Sequence, residues 1–332
     1  MSSAVSRIRA ITVTDFRIRI RRSSTAVIFL LLCIAAYLWI PDPSTGRTLL
    51  QMNGQRALYN SPALAMGTAA LCSILLGMVG YYLVSNSIGR DTRTRTGFVI
   101  ASTSVRNFEY LTGIFLGNVL FLSAVIFGFM FSCIIMQLIR GEAPVQMTSF
   151  LWHYAILLPP MVIFVSAVAV LFESVRWLSG RFGDLCYFFV WIFVLAFVGV
   201  SAEKLGGRNW TSYFDTFSFA FMLDQVKEIT HSDAISIGSS DYNMSKPPFI
   251  FPGLSMASSW ISPRIISTLY PLIFLGSALI FFNRFNPLKV KSSQLNSRTN
   301  ILSRANSLIR PLTIPFFSIA RISQKPGLRN AI

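Results

Sequence analysis

The chain has 332 residues, of which 13% are charged and 53% hydrophobic, with a mean hydropathy of +0.58. Soluble domains carry about 25% charged residues, so the composition excludes an ordinary soluble fold and predicts an integral membrane protein. The formal charge of +16 resides in cations that flank apolar runs, which points to anionic lipid headgroups, at about 1 kcal/mol per basic residue, and away from nucleic acid.

Residues 1–24 form a basic segment with Arg7, Arg9, Arg17, Arg19, Arg21 and Arg22 against one acid, Asp15. The apolar alternation from Phe16 to Ile20, taken alone, is a strand pattern. A lone strand beside a bilayer leaves its edges unpaired, so an interfacial helix is expected. The apolar run Ala26–Ile40 stops at Pro41-Asp42-Pro43 and reaches spanning length with Ser24, Thr25 and snorkelling arginines. A cleaved signal peptide is the competing reading; the long basic region and the missing small-x-small cleavage site stand against it. After the polar residues 41–61, Pro62 opens the second run, Ala63 to Ile88.

The third run, Leu111–Ile139, is separated from the second by a loop over 89–110 that carries Arg90, Asp91, Arg93, Arg95, Arg106 and Glu109. Such a loop cannot cross a bilayer core and must lie at a membrane face. The fourth run, Leu151–Phe172, contains Pro159-Pro160, which predicts a kink because neither residue has an N–H to donate. A second charged loop holds Glu173, Arg176, Arg181 and Asp184, and the fifth run is Leu185–Ser201. Residues 202–262 form the longest connection, with one or two surface helices predicted over Tyr213–Ile229 and an irregular Ser/Gly/Asn stretch after them. The sixth run, Ile265–Phe282, is entered at Pro263-Arg264. In the basic tail, 284–332, Ile301, Leu302, Ala305, Leu308 and Ile309 fall at helical spacing, the pattern of an amphipathic helix on an anionic leaflet.

Together these runs predict an all-α polytopic membrane protein with six transmembrane helices over 25–283. Placing both ends on one side puts 21 Lys and Arg there against 8 on the other, so that side is expected to be cytoplasmic and to include the 89–110 loop.

Chemistry is sparse. No G-x-x-x-x-G-K-[ST] occurs, so the chain does not hydrolyse nucleotide through a P-loop. The runs hold almost no ionisable residue, whereas ion-coupled transporters place acids or histidines near the midplane. His153 and His231 lie at or beyond span edges, and Cys33, Cys72, Cys133 and Cys186 lack metal-site spacing. No metal, no bound cofactor and no enzymatic activity of its own are therefore expected.

Arg90-Asp91, Gly97-Phe98-Val99, Ser104-Val105-Arg106 and Tyr110-Leu111-x-Gly113-x-x-x-Gly117, set between the second and third of six runs, resemble the ABC-2 type permeases, the membrane subunits of ABC exporters. Ser104 stands where that family usually has proline. The resemblance spans the chain in topology. In motif it covers this loop and the second one, from Leu171-Phe172-Glu173-Ser174 through Trp177 and Gly180-Arg181-x-Gly183-Asp184 to Tyr187. It implies an ATPase-coupling element made of Arg90, Asp91, Arg93, Gly97, Phe98, Val99 and Arg106, joined by Glu173, Arg176 and Trp177. It also implies two copies of an ABC ATPase subunit that bind ATP and Mg, a second permease subunit, and a bacterial inner membrane. A substrate pathway between protomers would be lined by Met66, Tyr81, Tyr82, Tyr187 and Trp191. Such a Met/aromatic lining suits an amphipathic substrate, such as a lipid-linked molecule, hydrophobic peptide or drug. Helix packing is the competing reading for those five residues. Two other functions compete with the exporter: a non-transporting membrane scaffold or sensor, and a membrane-embedded lipid-modifying enzyme.

Overall fold

The structure is a computed structural model that describes residues 3–205, 209–230 and 235–282; the basic tail and its expected amphipathic helix lie outside the described residues. Of the described residues 73% are helical, and helix is the dominant element, as composition implied.

Helix α1 (Ala4–Ile20) starts at Ser3, whose Oγ accepts from the Ser6 N–H at 3.2 Å. The alternation at its end is not a strand: helical spacing puts Asp15 and Arg19 on one face, ion-paired at 2.6 Å and both buried. That face lies along α6 (Asn107–Arg140). Small residues make the approach possible. A Cβ on Gly113 would stand 2.7 Å from Ile11 Cγ2, and one on Gly117 would stand 2.9 Å from Asp15 Oδ2. The G-x-x-x-G spacing is thus a docking stripe for α1. The chain then bends by 69° into α2 (Ser23–Trp39), whose Leu30, Leu31 and Leu38 are exposed.

The polar residues after α2 hold a feature the sequence reading passed over. Strand β1 (Arg47–Met52) turns at Asn53-Gly54, both at positive φ, into β2 (Gln55–Arg56). An Asn-Gly pair favours this tight hairpin. Strand β3 (Ile235–Asp241), from the stretch expected to be irregular, pairs antiparallel with β1, giving the order β2-β1-β3. The all-α expectation therefore needs this correction: two connections far apart in sequence complete each other's backbone hydrogen bonds. The sheet sits over the start of α3 (Ser61–Val84), with Leu49 against Gly67.

Helix α3 is the central one. Of its most apolar window, 72% is buried inside the chain, against 22% for the stretch formed by α11 (Ser258–Leu269) and α12 (Leu272–Phe281). Beyond α3 the charged loop is itself helical: α4 (Ser87–Arg93) and α5 (Thr96–Ser102) precede α6. Helices α7 (Met147–Leu157) and α8 (Pro159–Ser174) meet at a 45° bend, as Pro159-Pro160 predicted. Then come α9 (Arg181–Leu205), a 3-10 turn over Trp210–Phe214, and α10 (Phe219–Thr230). Pro263 does not begin the last helix; it lies inside α11, which starts at Ser258.

Among the described residues, three helical stretches are long and apolar enough to cross a membrane: Ser61–Arg93, Asn107–Arg140 and Ser258–Phe281. Counting α1–α2 and α7–α8 as one bent span each brings the number to five. Exposed Phe127, Phe131, Leu138 and Ile139 on α6 fit a lipid-facing surface.

Candidate functional site

At the α4 end of α3, opposite the sheet, charged side chains that composition places at a surface are instead tied together in the interior. Asp15 is the hub. It accepts from Arg19 Nε at 2.6 Å, Arg90 Nη2 at 2.9 Å and Ser87 Oγ at 3.1 Å. Arg19 spends its remaining donors on Asn118 Oδ1 at 2.6 Å, the Leu83 carbonyl at 3.0 Å and Ser87 Oγ. Arg90 also reaches Asp91 Oδ1 at 3.0 Å, and the Tyr110 hydroxyl donates to Asp91 Oδ2 at 2.8 Å. Buried charges persist only where partners and hydrogen bonds replace water. Here α1, α4 and α6 each supply part of that replacement.

A second attachment comes from α8. The Glu173 carboxylate accepts from the backbone N–H groups of Ser87 at 3.0 Å, Ile88 at 2.5 Å and Gly89 at 3.4 Å. It satisfies the first donors of α4, which are otherwise orphaned at a helix start. At the other end of the segment, Glu109 accepts from Arg7 Nε at 2.9 Å and Nη2 at 2.5 Å, and from the Arg106 N–H at 2.9 Å. Helix α1 is therefore fastened to both borders of the 89–110 loop.

The coupling residues named from sequence divide by exposure. Arg90, Asp91 and Glu173 belong to this network and hold α4 in place. Gly97 is buried, and Phe98 and Ile100 pack on an apolar cluster that contains Tyr110, Leu111 and Ile114. Of Phe98, Val99 and Ile100 only Val99 faces outward, at 65% exposure. Arg93, Arg106, Arg176 and Trp177 are exposed.

Of the five pathway residues, three come together. Tyr81 and Tyr187 stack at 3.8 Å and 7°, with Tyr82 edge-on to Tyr81 at 5.4 Å. Tyr187 donates to the Gly77 carbonyl, and Tyr82 to the Asp184 carbonyl at 3.0 Å. Met66 is buried roughly 22 Å further along α3, from fifteen residues at 1.5 Å each. Trp191 packs on Phe188, one turn along α9 from Tyr187.

No protein-family model matches this chain, and no curated protein matches it. Its chemistry must be read from its own residues.

Beside the tyrosines lies a cavity of about 870 Å³. It is bounded by Arg22 at the α1–α2 bend, by Tyr81, Tyr82 and Ser85 near the end of α3, by Gly89, Arg90 and Arg93 on α4, by Glu173 and the 178–180 link, and by Arg181 and Asp184 on the first turn of α9. It therefore joins both charged loops to the aromatic cluster. Among the described residues no three His, Cys, Asp or Glu are grouped to hold a metal. His153 is engaged within the fold: its Nδ1 pairs with the Ser149 carbonyl at 2.7 Å, and its Nε2 accepts from the Leu254 N–H at 3.0 Å. His231 lies outside the described residues. The sequence reading missed Asp15, Arg19, Ser87, Tyr110 and Asn118. The available signal was the Asp15–Arg19 pair at i,i+4, the only acid of the basic segment set one turn from a cation.

Proposed function

We propose that this chain is the membrane subunit of an ATP-driven exporter of the ABC-2 type, with six spans formed by α2, α3, α6, α7–α8, α9 and α11–α12. Both ends are cytoplasmic in a bacterial inner membrane. Two copies of an ATPase subunit bind ATP and Mg beneath a pair of permease subunits, and the pair moves an amphipathic substrate such as a lipid-linked molecule, peptide or drug. The observation that carries this reading is the construction of the 89–110 segment. It is a pair of short helices presenting Val99, Arg93 and Arg95 outward, while α4 is bolted through Asp15, Tyr110 and Glu173 to α1, α6 and α8. A load applied to α4–α5 by a soluble partner would pass to three helices as a rigid-body displacement, the form of motion that couples a soluble domain to spans. The missing P-loop makes an external energy source necessary.

Val99→Asp tests this without disturbing the packed residues beside it. The full chain is purified from its native membranes in nanodiscs, and ATP turnover of the co-purifying ATPase is measured. Val99→Asp is expected to lower the stimulated turnover about tenfold or more, equivalent to about 1.4 kcal/mol, while the chain still inserts. If no ATPase co-purifies, or if turnover is unchanged, the coupling assignment is wrong.

A further inference from the structure

The cavity between the two charged loops carries cations that the network around Asp15 does not neutralise. Arg90 is neutralised by Asp15 and Asp91, and the Glu173 carboxylate is occupied by three backbone N–H groups. What remains on the wall is Arg22, Arg93 and Arg181 against Asp184. Among the described residues none of these three arginines has a carboxylate within ion-pair distance. Arg93 is aligned by neutral groups, donating to Asn86 Oδ1 at 2.8 Å and the Gly89 carbonyl at 3.2 Å. Arg22 has Arg19, Arg90 and Arg93 as charged neighbours against the single acid Asp15, an excess of like charge that an anion would relieve. Beside Arg181, Phe182 and Leu185 are exposed at 55% and 54%, so apolar surface borders the basic wall.

We infer that this cavity is a binding site for a phosphate-ester anion, held by Arg22, Arg93 and Arg181, with an acyl chain running over Phe182 and Leu185. Guanidinium forks match phosphate oxygens, and several can share one phosphate. The exposed apolar border favours a phospholipid headgroup over a soluble phosphate ester that shares the same chemistry. A lipid seated there would touch both α4 and the start of α9, and so would report membrane composition to the segment that takes up the mechanical load. The inference goes beyond the exporter reading, because binding needs no ATPase and is measured without one.

The full chain in mild detergent is titrated, with bound mass read by native mass spectrometry, against phosphatidylglycerol, phosphatidylcholine and glycerol 3-phosphate. The comparison uses Arg93→Gln/Arg181→Gln, the charge-keeping Arg93→Lys/Arg181→Lys, and Arg47→Ala at the sheet end. Arg93 and Arg181 are exposed, so the fold tolerates their replacement. Phosphatidylglycerol is expected to bind more tightly than phosphatidylcholine. The double Gln variant should weaken it about 30-fold, from about 1 kcal/mol for each of two arginines. The Lys pair should recover part of the loss, and Arg47→Ala should change nothing. Glycerol 3-phosphate competing as well as the lipid would keep the site and assign it to a soluble ester. Equal binding of the two lipids, or equal loss in Arg47→Ala and the double Gln variant, would overturn the site.

Discussion

Asp15→Asn is the perturbation that the structure resolves most sharply. The change keeps shape and removes one charge from the hub of a network in which the Asp15 and Arg19 side chains are each 2% exposed. Arg19 then has no carboxylate, because its other acceptors, Asn118 Oδ1, the Leu83 carbonyl and Ser87 Oγ, are neutral. Breaking a buried pair from one side costs about 3–5 kcal/mol. The mirror change, Arg19→Met, is milder, since Asp15 keeps Arg90 at 2.9 Å and the Ser87 hydroxyl at 3.1 Å. The double variant should therefore be less destabilised than the sum of the singles. Cys72 and Cys133 are free and buried, whereas Cys33 and Cys186 are free and half-buried, so with those two replaced by Ala a thiol-reactive dye reports unfolding in nanodiscs. At about 2–4 °C per kcal/mol, Asp15→Asn should lower the midpoint by about 6–20 °C. An effect below about 1 kcal/mol, or equal losses for the two single variants, would refute the reasoning, because it would mean that water reaches the pair.

Two further outcomes follow from packing and charge. Gly117→Val should push α1 off α6, since even a Cβ at Gly117 meets Asp15 Oδ2 at 2.9 Å; a loss of about 1–3 kcal/mol in the same thiol assay checks it, and no loss would free the stripe from this role. On the sheet side, Arg56 holds the Glu142 carboxyl below its usual range through a 2.5 Å ion pair. A depressed carboxyl stabilises the fold above its unfolded value and loses that contribution as pH falls through its folded value. With Glu142 30% exposed the pair is worth no more than about 1 kcal/mol, and Glu142→Gln should flatten the acid limb of the thermal midpoint below the ordinary glutamate value of about 4.3.

Much of the helical architecture was legible because it rests on run length and on prolines. Pro159-Pro160 removes two N–H donors, and the bend between α7 and α8 follows. The sheet was not legible in the same way: β1 and β3 lie almost two hundred residues apart, and each reads as an ordinary polar connection until the other supplies its hydrogen bonds. The Asn53-Gly54 turn was the one local signal available. Amphipathic reasoning failed at α1 for a different reason. A basic segment beside a membrane suggests charges facing solvent and headgroups, yet Asp15 and Arg19 turn inward, because Ser87, Arg90 and Asn118 from two other helices offset their desolvation. Asp91 shows the same limit, since nothing local says that its carboxylate meets Tyr110 and not a partner protein.

That inward turn constrains how the charged face moves. Separating α4 from α1 would break the bonds of Asp15 to Arg90 and Ser87 and leave buried charge unpaired, which costs several kcal/mol. Lifting α4 from α8 would strip Glu173 from three N–H groups. Neither contact yields cheaply, so α1, α4 and the start of α6 move together or not at all. Compliance must sit where side-chain bonds are few. The 69° bend between α1 and α2 is one such place. The α4–α5 joint is not another: Arg95, a non-glycine residue at φ 61, holds a conformation that persists only where its surroundings fix it, and Thr94 Oγ1 and Thr96 Oγ1 pair across it at 2.8 Å. A partner seated on Val99 would thus displace α5, α4, α1 and the start of α6 together, with the α1–α2 bend taking up the movement.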